Sequence, residues 1–102
     1  MENRNCFENR QNRRLMIVTV RIANKSGLHA RSAATFVQLA NKFQSQVKVK
    51  KEETEVNGKS ILGMMMLGAI YGSKITIKVS GPDEERALKE LSDLIKNKFG
   101  EE

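Results

Sequence analysis

The sequence is poor in cysteine, proline, histidine and aromatic residues, with one of each of the first three and an aromatic content of 5%. The single cysteine, Cys6, cannot form an internal disulfide or a cysteine cluster for a metal. No apolar run approaches the ~20 residues that span a bilayer, so we expect no membrane insertion. Because a secretion signal is also lacking, we expect a protein of the reducing cytoplasm.

Basic residues outnumber acidic ones by 18 to 12, which raises the question of a nucleic-acid partner. The excess is spread along the chain, because residues 1–15 carry a net charge of +2 and the remainder carries +4. Phe36, Phe43 and Phe99 fall in helical patterns, where core packing explains them better than base stacking. We therefore expect no nucleic-acid binding, and a basic surface also suits an acidic protein.

Residues 1–15, MENRNCFENRQNRRL, are polar and show no periodicity, so we interpret them as a disordered N-terminal extension. Alternation of apolar and polar residues begins at Met16. We therefore predict one domain over residues 16–102, without an internal repeat or linker.

The domain alternates strand and helix patterns. Period-two alternation predicts strands in MIVTVRI and KITIKVS, and a hairpin in QVKVKKEETEV. Helical spacing predicts helices in ARSAATFVQLANKF and PDEERALKELSDLIKNKF, and SILGMMMLGA is a short apolar segment before the last strand. In the last helix we expect Pro82 in the first turn, Lys96 and Lys98 in the last turn, and Gly100 as the terminator. The order βαββαβα predicts an α/β (α+β) fold, an open-faced sandwich of an antiparallel or mixed sheet with helices on one face.

His29 is the only histidine, and it lies between Gly27 and a helical pattern. Glycine permits a sharp turn from strand into helix. The amides of Ala30, Arg31 and Ser32 then lack intrahelical acceptors, and with the helix dipole they predict a phosphate site. Because the dipole disfavours a charged imidazole, we expect a neutral ring that attacks a phosphoryl group, assisted by the Arg31 guanidinium.

The residues alone leave other interpretations of His29 open. A lone histidine at a helix start is most often a surface residue without a role. A metal site is disfavoured because the domain contains no second histidine and no cysteine, and we expect no cofactor. A Ser–His–acid triad is compatible with the composition, although no nucleophile-elbow pattern supports it.

The segment NGKSILGMMML predicts a second surface of interest. Ser60 is placed to cap the short helix that follows, and capping is its more common role. The next residues are nearly all apolar, more than one face of a two-turn helix can bury. We expect Met64 and Leu67 to be buried in the core. A partner-docking patch of partly exposed side chains should comprise Ile61, Leu62 and Met65.

The run SGLHARSAATFVQLANKF, followed by VNGKSILGMMMLGA and KITIKVSGPDEERAL, closely resembles the histidine-containing phosphocarrier (HPr) family of the bacterial phosphoenolpyruvate:sugar phosphotransferase system. The resemblance covers roughly residues 16–100. It implies a four-stranded antiparallel sheet with three helices, and a phosphocarrier rather than an enzyme. Such a carrier accepts a phosphoryl group from enzyme I and passes it to sugar-specific enzyme IIA domains. We expect a monomer, since shuttling needs a free face.

The resemblance also assigns roles to residues. His29 matches the histidine that is phosphorylated on Nδ1, and Arg31 matches an arginine that assists transfer. The segment that shapes the site includes Gly27. Phosphate-binding roles are expected for Ser26, Ala30, Arg31 and Ser32.

Ser32 is a departure from the family pattern, because most members have proline at this position. Proline in a first helical turn costs nothing and stiffens it. Serine restores a backbone N–H and adds a hydroxyl, and we expect either group to reach the phosphate.

Ser60 matches the serine that an ATP-dependent HPr kinase/phosphorylase modifies in many Gram-positive bacteria, beside the family's docking surface. A phosphate there adds about −2 charge at the rim of an apolar patch. In the family, sugar transport then slows and the phosphoserine form binds a catabolite-repression transcription regulator. The alternative function is therefore a regulatory binding protein that acts through phospho-Ser60 in carbon catabolite repression.

Overall fold

The strands form one five-stranded antiparallel sheet. A computed structural model describes the backbone of residues 3–8 and 14–101. The order of strands across the sheet is β1-β2-β5-β3-β4, and every neighbouring pair is antiparallel. The strands are β1 (Asn3–Glu8), β2 (Arg14–Arg21), β3 (Gln46–Lys51), β4 (Thr54–Asn57) and β5 (Lys74–Ser80).

Three helices follow the predicted order and pack on one face of β2 to β5, so the open-faced sandwich is confirmed. They are α1 (Ala30–Ala40), α2 (Ile61–Met66) and α3 (Glu84–Lys96), and a 3₁₀ turn follows at Lys98–Gly100. The limits of α3 differ from the prediction. Pro82 precedes the helix and Lys98 follows it, because Asp83 is the N-cap and Asn97 the C-cap. Gly100 therefore does not terminate α3.

The core lies between the sheet and the helices because alternate strand residues face the same side. Val18 in β2, Val49 in β3 and Ile77 in β5 are fully buried. The helices contribute apolar stripes to the same core. Their fully buried members include Phe36 of α1, Met64 of α2, and Leu88, Leu91 and Ile95 of α3.

Asp83 joins the start of α3 to the loop before β3. Its carboxylate accepts hydrogen bonds from the Gln44 amide (2.9 Å), the Ser45 amide (3.0 Å) and the Ser45 hydroxyl. These bonds, that of the Ser45 hydroxyl first, hold the pKa of Asp83 below its ordinary value. The carboxylate thus links two loops rather than capping α3 with its side chain.

The N-terminal extension differs from the prediction. Asn3–Glu8 form β1, which pairs with β2 from Asn3 opposite Thr19 to Glu8 opposite Arg14. The expectation of disorder is therefore wrong for these six residues, because the unpaired edge of β2 offers hydrogen-bonding partners to any extended segment. The β2 strand also begins at Arg14, ahead of the predicted boundary at Met16. The rest of the predicted extension, residues 1–2 and 9–13, lies outside the described residues.

Across residues 3–8 and 14–101, none of the helices has both the length and the apolar character needed to cross a membrane.

Deletion of residues 1–13 tests the pairing of β1 with β2. The shortened chain should still fold, because it keeps every buried apolar residue that the structure describes, from Met16 onwards. The β2 amides that face β1 should exchange with solvent at least about tenfold faster, since their acceptors are lost. The β2 amides that face β5 should keep their protection and serve as the internal control. Hydrogen exchange followed by NMR measures both sets, and equal protection in the two chains would show that β1 does not cover β2.

Candidate functional site

His29 is the N-cap of α1, as predicted. Its backbone is extended, and its Nδ1 accepts a hydrogen bond from the Arg31 amide at 3.2 Å. The imidazole side chain is 36% exposed, so the ring is accessible to a partner. The ring therefore lies against the amide end of α1 with one nitrogen directed at it.

Gly27 makes the turn that brings His29 to this place. Its φ is +71°, a conformation that costs glycine little. A Cβ at this position would also come within 2.7 Å of the Ala69 carbonyl oxygen. The next residue, Leu28, donates its amide to that same oxygen at 2.9 Å. Both the conformation and the close approach require glycine, so the turn is fixed against the loop that follows α2.

The Ser32 hydroxyl, predicted as one of two Ser32 groups that could reach a phosphate, is engaged inside the turn in this structure. Ser32 is fully buried. Its Oγ accepts from the His29 amide at 2.9 Å and donates to the Gly27 carbonyl at 3.0 Å. With the bond from the Arg31 amide to the His29 ring, this is a reciprocal cap of the helix start. Serine here stabilises the turn from inside the fold.

Glu101 is a member of the site that no motif or spacing predicted. Its Oε2 lies 2.8 Å from His29 Nε2, and its side chain is 14% exposed. Its Oε1 accepts a hydrogen bond at 3.0 Å from Nδ2 of the buried Asn24. The same Nδ2 group also donates to the Gly27 carbonyl at 2.8 Å. Asn24 and Glu101 thus connect the carboxyl end of the chain to the turn that holds His29.

The pKa of Glu101 is held below its ordinary value. The largest cause is the hydrogen bond from Asn24, and the hydrogen bond and charge of His29 and the charge of Arg31 act in the same direction against desolvation. Glu101 is therefore a carboxylate at neutral pH and can only accept hydrogen bonds.

These contacts select one form of the imidazole. A carboxylate at Nε2 requires a proton on that nitrogen, whereas a backbone N–H at Nδ1 requires a lone pair there. The neutral tautomer with a proton on Nε2 satisfies both contacts. Nδ1 is consequently the nucleophilic nitrogen, and it is the one beside the helix amides.

The carboxyl end of the chain reaches His29 through an unusual turn after α3. Lys98 and Phe99 both have positive φ values, 61° and 57°, and Gly100 continues at 76°. Such a conformation is unfavourable for non-glycine residues and needs compensation from the surrounding structure. Burial of the Phe99 ring, which is 5% exposed, supplies it. The turn directs Glu101 back towards α1.

The other predicted phosphate-binding residues lie at the surface around the ring. Ala30 and Arg31 are exposed at the first turn of α1, and Ser26 is exposed in the turn before it. The amides of Ala30 and Arg31 have no carbonyl acceptor within the helix. This side of His29 can therefore receive an anion, with the Arg31 guanidinium free to approach it from solvent.

Ser60 caps α2, as predicted, with its hydroxyl accepting from the Gly63 amide at 3.0 Å. Met64 and Leu67 enter the core, also as predicted. The prediction of partly exposed apolar residues is confirmed, and the exposed set is larger than expected. This set, the apolar patch, comprises Ile61, Leu62, Met65, Met66, Ile70 and Tyr71.

The apolar patch adjoins the turn at Gly27 that positions His29. Leu62 and Met66 are each 69% exposed and lie one helical turn apart on α2. Ile70 and Tyr71 follow in the loop whose Ala69 carbonyl accepts from Leu28. The spacing of Leu62 and Met66 was a signal for the exposure of Met66, whereas no pattern marked the loop residues. A partner that covers the patch would also reach His29.

Comparison with known proteins identifies the family of this chain. Residues 17–97 match the family model described as the PTS HPr component phosphorylation site. The chain belongs to the HPr family. The phosphocarrier protein HPr of Cupriavidus necator is 51% identical to it over 80 residues, which cover 78% of this chain and 90% of that protein. A crystal structure of HPr-C-His from Thermoanaerobacter tengcongensis has a TM-score of 0.81 at 55% identity and covers 84% of this chain and 97% of its own.

HPr proteins are phosphocarriers of the phosphotransferase system rather than catalysts in the usual sense, and this chain shares their fold. It is also similar to the HPr-like protein Crh of Bacillus subtilis, with 45% identity over 73 residues that cover 72% of this chain and 86% of that protein. The predicted fold and family are thereby confirmed.

Substitution of Asn24 by alanine tests the link from Asn24 through Glu101 to His29. The pKa of Glu101 should rise towards 4.5, because its largest lowering interaction is removed. The lowered pKa means that Glu101 stabilises the folded chain above pH ~4.5, and that this contribution is lost as pH falls through the lower folded value. A titration of the Glu101 side-chain carbon by NMR measures the pKa directly. Asn41→Ala is the matched control, since it removes a side-chain amide that donates to the Val37 carbonyl of α1. An equal pKa of Glu101 in the chains with and without Asn24 would contradict the link.

Proposed function

We propose that this chain accepts a phosphoryl group on Nδ1 of His29 from phosphorylated enzyme I and passes it to sugar-specific enzyme IIA domains. The observation that supports this most directly is that the two ring nitrogens of His29 have different partners. Glu101 Oε2 lies 2.8 Å from Nε2, and Nδ1 lies at the amide end of α1. The lone pair is thus placed where a helix start favours negative charge.

In the proposed transfer, the Nδ1 lone pair forms the bond to phosphorus as the donor's bond to phosphorus breaks. The electron pair of the broken bond leaves with the donor. The Arg31 amide, which now donates to Nδ1, turns to the phosphoryl oxygens together with the Ala30 amide. The Arg31 guanidinium offers a fork of further donors to the same oxygens. Positioning and electrostatic stabilisation supply the catalytic help, as is general for phosphoryl transfer.

Glu101 stabilises the product in this proposal. Once Nδ1 carries phosphorus and Nε2 keeps its proton, the ring is positively charged. The Glu101 carboxylate lies next to that proton and compensates the charge. A ring that stays protonated on Nε2 is also a better leaving group, because it departs from phosphorus as a neutral imidazole. One carboxylate therefore supports both acceptance and release.

The apolar patch is the proposed docking surface for enzyme I and enzyme IIA. It is a contiguous exposed apolar area beside the acceptor nitrogen, a feature typical of interaction sites. Its methionines suit several partner shapes in turn because their side chains are flexible. A monomer leaves this surface free, and we propose that state for the working carrier.

Ser60 is the proposed regulatory site, through an HPr kinase/phosphorylase. Its hydroxyl caps α2 at the edge of the patch, next to Ile61. A phosphate would place about −2 charge at an apolar interface that must be desolvated on docking. Phosphorylation would thus weaken docking, and the phosphoserine form would present a new surface to a catabolite-repression regulator. The similarity to the HPr-like protein Crh favours this as the second candidate function.

The acceptor role is tested by incubation with phosphoenolpyruvate and enzyme I. The wild-type chain should acquire a label that is lost in acid and stable in alkali, as expected for phosphohistidine. The variant His29→Asn should acquire none. Asparagine is an effective N-cap, so α1 should remain capped and the loss should reflect the missing nucleophile. An acid-labile label on the variant would remove His29 from the mechanism.

Ser60→Ala is the control that separates the two candidate functions. It should keep the acid-labile label from enzyme I and lose an acid-stable label supplied by ATP and an HPr kinase/phosphorylase. Its α2 helix should be weaker by about 1 kcal/mol through loss of the cap. A chain that takes only the acid-stable label would be the regulatory protein of the alternative function.

Substitution of Leu62 by glutamate tests the docking surface. The new charge lies at the centre of the proposed interface and should weaken binding to enzyme I by at least about tenfold, because it must be desolvated there. Gln46→Glu adds the same charge at an exposed position on the opposite face of the sheet and should leave binding unchanged. Isothermal titration calorimetry measures both affinities. Equal weakening, or none, in the two variants would contradict the assignment of the patch.

A further inference from the structure

The solvent face of the sheet, opposite the helices, gathers lysines that are separated in the sequence. Lys48 lies opposite Lys78 on the neighbouring strand, and Lys50 lies opposite Thr76. Lys74 is on the same side of β5 as Thr76 and Lys78, because alternate strand residues share a face. Like charges opposite each other are unfavourable in a sheet. The fold thus concentrates positive charge that appeared scattered along the chain.

A shallow basin of about 560 Å³ lies on this face. Its floor contains the hydroxyls of Thr19 and Thr76, whose oxygens are 3.2 Å apart. Since one of the two donates to the other, the second hydroxyl keeps its proton for a ligand. The described residues that line the basin are Thr19, Lys50, Lys51, Glu52, Ser73, Lys74, Thr76 and Lys78. Their four lysines and one glutamate carry a net charge of +3.

The positive charge of the face is only partly compensated. Glu55 pairs with Lys78 at 2.8 Å. That hydrogen bond, followed by the charges of Lys78, Lys48 and Lys50, holds the pKa of Glu55 below its ordinary value despite partial desolvation. Among the described residues, no carboxylate forms an ion pair with Lys50 or Lys74. The cations beside the two threonines therefore remain available to an anion.

We propose that this basin binds a small, multiply phosphorylated ligand. Several lysines beside a pair of hydroxyls match several phosphate groups held close together, which take both ammonium and hydroxyl donors. The volume falls within the usual range of small-ligand sites. None of the described residues that line the basin is aromatic, so they offer no platform for the base stacking that favours a single-stranded nucleic acid.

The basin is independent of the proposed phosphoryl transfer. The helices and His29 lie on the other side of the sheet, and no residue of the apolar patch contributes to the lining. A ligand in the basin would leave the docking surface free. Occupation of the basin and transfer of a phosphoryl group are therefore compatible on one molecule.

Inorganic triphosphate is the probe for this site. In an NMR titration at ~150 mM salt, the amides of Thr19, Lys50 and Thr76 should shift together and saturate, with a dissociation constant below ~1 mM. Thr76→Val keeps the shape of the side chain and removes its hydroxyl, so binding should weaken about tenfold. Lys50→Gln should weaken it similarly. Lys42→Gln, an exposed change just beyond α1, should leave it unchanged.

Phosphoryl transfer to His29 should be unaltered in Thr76→Val, which separates failure of this proposal from failure of the carrier role. Shifts confined to Ala30 and Arg31 would place the anion only at the start of α1 and overturn the proposal. Equal affinity of Thr76→Val and the wild-type chain for triphosphate would show that the lysines attract anions without a defined site, and would overturn the proposal. Binding of duplex DNA at the same amides more tightly than triphosphate, with an affinity that falls steeply with salt, would identify the ligand as nucleic acid and overturn the proposal.

Discussion

The contact between the His29 ring and the first amides of α1 is the constraint on which the rest of the site depends. An N-cap side chain normally satisfies an amide and does nothing more. Here the capping atom is an imidazole nitrogen, so the same lone pair that stabilises the helix is available as a nucleophile. The buried Ser32 hydroxyl completes the reciprocal cap by accepting a hydrogen bond from the His29 amide. The ring is thereby held at one end of a rigid helix instead of moving freely on the surface.

Two distant parts of the chain converge on this ring for separate physical reasons. Gly27 turns against the loop after α2, which links the position of the ring to the apolar patch. The left-handed turn at Lys98 and Phe99, stabilised by burial of the Phe99 ring, returns Glu101 to Nε2. The first link connects the proposed phosphoryl acceptor to the proposed docking surface, and the second favours a proton on Nε2.

Local features of this fold were predictable from the sequence, and long-range ones were not. Period-two alternation around Val18 and Ile77 and helical spacing around Phe36 gave the elements and their order, because burial of one face imposes these periods. The place of His29 at a helix start followed from Gly27. In contrast, the contact of Glu101 with His29 joins residues 72 positions apart and depends on a left-handed turn that no propensity favours. The lysine basin was missed for a related reason, since only the register of β3 against β5 brings Lys50 beside Thr76.

The state of the His29 imidazole is the most direct test of this account. Long-range proton–nitrogen correlation spectra of the 15N-labelled chain report which ring nitrogen carries the proton before phosphorylation, and which carries phosphorus afterwards. We expect a proton on Nε2 throughout and phosphorus on Nδ1. A free ring protonated on Nδ1, or a phosphoryl group on Nε2, would contradict it.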